Sequence, residues 1–199
     1  MLEELALPYE LVSVNLGKRE QYSPEFLRIN PNGKIPAIVD TDGPSGQPVT
    51  LFESGAILIY LAEKTGQFLP AAPHDRYTVI QWIMFQMANT GPMFGQLHHF
   101  KASAPNGNDY GVKRYQNEGE RLLGVLNGRL AESEYLAGTE YTIADICNWP
   151  WIRSWIYTLK NDLTGRPHLE RWYDLIQSRP AVRRAMEIYD RLRAAAAKS

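Results

Sequence analysis

The spacing of apolar residues changes character near residue 70. Up to that point apolar stretches are short and punctuated. Residues 9–15 alternate as a half-buried strand would, Ala37, Ile38 and Val39 form one brief run, and residues 49–52 form another. Beyond it the spacing is helical: Val79, Ile80, Ile83, Met84 and Met87 make a single stripe. The pattern predicts a short helix over residues 1–6, broken at Leu7-Pro8, and a helical turn at 23–27 with Pro24 at its first position. It also predicts a hairpin of 36–39 with 49–52 across the turn-rich loop 42–46, then a helix over 53–66 stopped by Gly66. Further helices are expected over 76–87 and 111–130, from Thr142, from Pro167 to near Ser178, and from Pro180 into an alanine-rich end that should fray. Residues 68–73 read as a linker. The expected division is therefore a mixed α/β domain over 1–70 and an all-helical domain over 74–199.

Two segments of the first domain carry candidate chemistry. Asn30-Pro31-Asn32-Gly33-Lys34-Ile35-Pro36 reads as a turn entering a strand. Proline cannot donate to a ladder, so Pro36 suits the first residue of a strand or an edge. A cis bond before it would leave the N–H and C=O of Ile35 unpaired and facing outward. An extended peptide could then pair there as one more strand. The second segment is Glu53-Ser54-Gly55, an acid–serine pair where a helix opens. A helix N-terminus offers free N–H groups and partial positive charge, hence a place for a carboxylate. Read alone, Ser54 is equally an ordinary helix cap.

In this order and at this distance, Ile35-Pro36 and Glu53-Ser54 resemble the glutathione-binding half of the glutathione transferase superfamily. Gln21-Tyr22-Ser23-Pro24-Glu25-Phe26-Leu27, Gly91-Pro92-Met93-Phe94-Gly95-Gln96 with His98-His99-Phe100, and Arg114-Tyr115 resemble its Nu-class branch. That branch contains bacterial glutathione-dependent disulfide-bond oxidoreductases and is similar to the C-terminal region of the yeast nitrogen-regulator prion protein. The resemblance implies a thioredoxin-like α/β domain without the family's first strand, followed by a helical domain. It implies glutathione as co-substrate, with Glu53 and Ser54 clamping the γ-glutamyl end and Ile35 pairing the peptide. Gln21 and Lys34 would lie near the remaining carboxylate, and Arg114 would reach toward the ligand from the helical domain. Against these roles, Gln21 and Lys34 also read as solvated loop residues, and Arg114 as a helix arginine paired with Glu118.

The activity so implied is reduction of small disulfides by thiol–disulfide exchange. The other reading is a non-catalytic glutathione-binding or regulatory protein on the same fold. A homodimer is implied as well. The family's thiol-activating loop would lie upstream of Met1, so catalytic residues are expected there, and residues 1–199 are expected to bind glutathione with weak chemistry.

Composition narrows the picture further. A net charge of −1 gives no basic field for nucleic acid or an anionic membrane. No apolar run approaches the roughly 20 residues of a spanning helix, and the first residues carry two glutamates rather than a basic leader. The single cysteine, Cys147, excludes an intrachain disulfide and fits a reducing cytoplasm; beside Ile146 and Trp149 it reads as a core thiol. His98 and His99 are adjacent, so on a helix they diverge by about 100° and converge on no metal. They are expected to line or buttress the cleft between the domains, with Leu97 as a more apolar wall. Tyr141-Thr142-Ile143-Ala144-Asp145-Ile146 has the form of a capping box, with Thr142 and Asp145 exchanging hydrogen bonds in a structural role.

Overall fold

A computed structural model of the chain describes residues 1–105 and 107–196. Ala197, Lys198 and Ser199 of the alanine-rich end lie outside the described residues. The chain forms two compact units: Met1–Gly66 together with the residues from Pro180 onward, and Gln67–Arg179.

The first unit opens with α1, Leu2–Leu5, closed by Ala6 in the left-handed region at φ 50°. A 3-10 turn at Glu20–Tyr22 leads into α2, Pro24–Ile29. Pro24 occupies the first helical position, where a missing N–H costs nothing, and the Ser23 hydroxyl caps by accepting from the Phe26 N–H at 3.2 Å. Strands β1, Ala37–Asp40, and β2, Val49–Phe52, pair antiparallel, and α3, Ser54–Thr65, follows. Gly66 ends α3 at φ 68°, as the breaker in the sequence predicts. The α3 face carrying Ile57, Leu58, Leu61 and Ala62 is buried.

Residues 9–15 form no strand. Among the described residues the sheet holds β1 and β2 alone. Alternation yields a strand only where a neighbour supplies ladder partners, and Leu11 and Val12 instead stay 51% and 73% exposed. The last helix, α9 (Pro180–Ala196), belongs to this unit. Arg184 ties it to α1 by donating to the Glu3 carboxylate at 2.8 Å and to the Glu3 C=O at 3.1 Å, while the Tyr9 hydroxyl donates to the same carboxylate at 2.7 Å.

The second unit is helical: α4 (Pro73–Phe85), α5 (Gly91–Ala102), α6 (Asp109–Glu132), α7 (Ile143–Tyr157) and α8 (Pro167–Gln177). A π-helical turn at Gln86–Thr90 joins α4 to α5, so Pro92 falls in the first turn of α5 rather than breaking a helix. The core is continuous across Val79, Ile83, Phe94, Leu126, Ile152 and Trp172. Helices α6 and α7 approach closely at Gly119, where even a Cβ would collide with the Trp155 ring.

Candidate functional site

The hairpin register assembles the first part of the site. Ala37 stands opposite Phe52. Ile35 and Pro36 enter just before Ala37, and Glu53 and Ser54 leave just after Phe52, so both candidate segments emerge at the same end of one hairpin. Adjacent strands run about 4.8 Å apart, which sets the scale separating them.

The Ile35-Pro36 bond is cis. Ile35 is half exposed, and neither its N–H nor its C=O has a hydrogen-bond partner among the described residues. The loop before it is organised by Asn30, which is only 1% exposed. The Asn30 amide donates to the Lys34 C=O at 2.6 Å, and its Oδ1 accepts from the Asn32 N–H at 2.9 Å. Its own main chain is held too, with the N–H donating to the Phe26 C=O at 2.8 Å and the C=O accepting from the Gly33 N–H at 3.0 Å. Gly33 sits at φ 62°, and a Cβ there would lie 2.9 Å from the Tyr22 ring. That packing brings the 3-10 turn bearing Gln21 against the loop bearing Lys34. The Gln21 Oε1 is buried and has no partner among the described residues, an acceptor left open. Lys34 is exposed and makes no ion pair among them.

Glu53 adopts φ 67° and ψ 113°, a conformation side-chain-bearing residues rarely hold. It turns the chain abruptly from β2 into α3, and its C=O accepts the first helical bond, from the Ile57 N–H at 3.0 Å. Its carboxylate is exposed; Ser54 occupies the first position of α3. Strand β1 is fastened to α3 by Asp40, which accepts from the Lys64 ammonium and the Tyr60 hydroxyl, each at 2.7 Å. The Lys64 bond, then the Tyr60 bond, hold the Asp40 carboxyl down to about 2. This brace fixes the hairpin on the helix and thereby the Ile35 edge relative to Glu53.

The second unit places Arg114 on α6, lining an open cleft of about 760 Å3 with Met93, Tyr110, Lys113 and Tyr115. The expected Arg114–Glu118 pair does not form. Glu118 is taken by Arg121, whose Nη2 and Nε lie 2.7 Å and 2.9 Å from its carboxylate, and that bond holds the carboxyl below its usual range. Arg114 is exposed and makes no ion pair among the described residues. His98 and His99 are exposed on α5, and Leu97 is fully buried. Among the described residues no three His, Cys, Asp or Glu side chains gather as metal ligands.

The capping box at the start of α7 is present. The Asp145 carboxylate accepts from the Thr142 N–H at 2.9 Å, the Leu136 N–H at 3.0 Å, the Trp172 indole at 2.8 Å and the Thr142 hydroxyl at 3.2 Å. Burial pushes its carboxyl above the ordinary range against the pull of these donors. Cys147 is buried one turn further on, and desolvation raises its thiol well above the usual value. It is no nucleophile.

Residues 1–63 match the glutathione S-transferase N-terminal domain, and residues 92–180 the C-terminal domain. The disulfide-bond oxidoreductase YfcG of Escherichia coli strain K12 is 50% identical over 186 residues, spanning 93% of this chain and 86% of that protein. A glutathione transferase of Burkholderia graminis, solved with two glutathione molecules per subunit, superposes with a TM-score of 0.89 at 48% identity over 92% of this chain and 79% of its own. One of Pseudomonas putida, solved with glutathione disulfide, gives 0.88 at 44% identity over 94% and 84%. The chain belongs to the glutathione transferase superfamily. Within it, the chain falls on the Nu-class-like branch with the bacterial disulfide-bond oxidoreductases.

Among the described residues no helix is long and apolar enough to cross a membrane.

Proposed function

We propose that this chain is a glutathione-dependent disulfide reductase that binds glutathione or its disulfide at Gln21, Lys34, Ile35, Glu53, Ser54 and Arg114. The observation that carries the reading is the register that brings the unpaired Ile35 edge and the Glu53-Ser54 helix start to one end of a hairpin. Glutathione offers what such an end can hold: a peptide to pair with Ile35, and a γ-glutamyl head with a carboxylate and an ammonium. The α3 N-terminus and Ser54 suit the carboxylate, and the exposed Glu53 carboxylate suits the ammonium. Arg114, not engaged by Glu118, keeps its guanidinium available for a second carboxylate.

The chemistry belongs to glutathione, because the chain's one thiol is buried and inert. A glutathione thiolate attacks the glutathionyl sulfur of a mixed disulfide. A new S–S bond forms as the old one breaks, the leaving thiolate takes a proton, and glutathione disulfide and a free thiol result. The attacking glutathione sulfur is oxidised, the glutathionyl sulfur stays at the disulfide level, and the substrate sulfur is reduced. The reading includes a glutathione-binding domain over 1–70, a helical domain over 74–199 whose last helix, α9, joins the first compact unit, a homodimer, and a cytoplasmic setting that supplies reduced glutathione.

Calorimetry with glutathione disulfide, beside turnover of a glutathionylated small thiol coupled to glutathione reductase, tests it. Binding with turnover is expected. Binding without turnover would make the chain a glutathione-binding protein rather than an enzyme, and absence of binding would overturn the site.

A further inference from the structure

We propose that Asn30 is a positioning residue for peptide recognition: it holds the Lys34–Ile35 peptide unit so that the Ile35 N–H is presented outward before any ligand arrives. In a trans peptide the C=O and N–H of one plane point in opposite directions. The cis bond in this segment is the next one, Ile35-Pro36, so the Lys34–Ile35 unit is trans. The buried Asn30 amide draws the Lys34 C=O toward itself at 2.6 Å. The N–H on the far side of that plane belongs to Ile35, and it therefore points away from Asn30, where Ile35 is 50% exposed.

Asn30 suits this task because both ends of its amide are committed. Its Oδ1 accepts from the Asn32 N–H at 2.9 Å, which fixes the amide orientation and leaves the nitrogen to donate to Lys34. Aspartate would match the shape and lose the donor. Without that bond the Lys34–Ile35 plane can rotate, and a ligand must order it on binding. Asn30 itself touches no ligand in this scheme. The inference rests on the proposed pairing of Ile35 with glutathione, so its test separates the two.

The experiment is Asn30→Asp in the full chain, read by calorimetry with glutathione disulfide and by the Ile35 amide resonance in nitrogen-15 NMR. The wild type should bind with a shift of the Ile35 amide. The variant should lose about tenfold in affinity, roughly one hydrogen bond's worth of orientation, and its Ile35 amide should start displaced from the wild-type free position and need about tenfold more ligand to complete its shift. Equal affinity and an unchanged Ile35 shift in the variant would overturn the role of Asn30 while leaving the site intact. A wild type that binds no glutathione disulfide would overturn the site and the inference together. If the variant does not melt cooperatively, hydrogen exchange of the wild-type Asn30 side-chain amide decides: protection supports the proposal, and free exchange with solvent overturns it.

Discussion

Asn30 and Asp145 are both polar, both buried, and both bonded to backbone N–H or C=O groups, yet the regions they organise end in opposite states. Around Asp145 the polar groups are consumed: two backbone amides, an indole and a hydroxyl converge on one carboxylate inside the helical core. Around Asn30 two main-chain groups of a loop are secured, and the groups of Ile35 beside them are left unpaired. The first arrangement closes a fold and the second keeps an edge open. Burial of a polar side chain therefore says nothing of function until the groups it leaves unsatisfied are counted.

The contrast can be broken at either end. The largest effect is expected from Asp145→Ala, which strands three buried N–H donors and a cap. Denaturant unfolding should show a loss of at least about 3 kcal/mol, and a loss below about 1 kcal/mol would show that the network is not what holds α7. Gly119→Ala drives a Cβ into the Trp155 ring of the same core. It should cost about 2 kcal/mol with no separate effect on ligand affinity in the folded fraction. Ser54→Ala reverses the pattern: affinity for glutathione disulfide should fall about tenfold while the melting temperature moves little. A variant that melts early but binds normally would return Ser54 to the role of a plain cap.

Asp40→Asn is the gentlest. Its carboxyl is held below the ordinary value, so its stabilisation is present above about pH 4 and lost as pH falls toward about pH 2. Wild type and variant should differ by about 2–4 °C in melting temperature near neutrality and converge in acid. A gap that persists at low pH would mean that the Lys64–Asp40 brace acts through packing rather than charge.

Where structure follows from neighbours in sequence, the sequence was readable. The capping box is an i to i+3 pattern, the helix stop is a glycine in place, and the hairpin is two apolar runs around turn residues. Ile35-Pro36 and Glu53-Ser54 were legible for the same reason, each being a local backbone device. What escaped depends on partners that carry no residue signature. Asn30 looked like a turn residue because its targets are main-chain groups and its burial arises from packing. Residues 9–15 alternate like a strand, but alternation cannot announce whether a neighbour is present. The π-helical turn before Gly91 shifts hydrogen bonds by one residue, which no side chain advertises. The Arg121–Glu118 bond that releases Arg114 is one of two helical pairings the same charges allow.

The bond from Arg184 to Glu3 joins residues 181 positions apart. A polypeptide emerging from the ribosome displays Glu3 well before Arg184, so Gln67–Arg179 can mature while the unit containing Ile35 and Glu53 still lacks α9. Ligand competence is then expected to wait for α9 rather than follow the appearance of the residues that would grip the ligand.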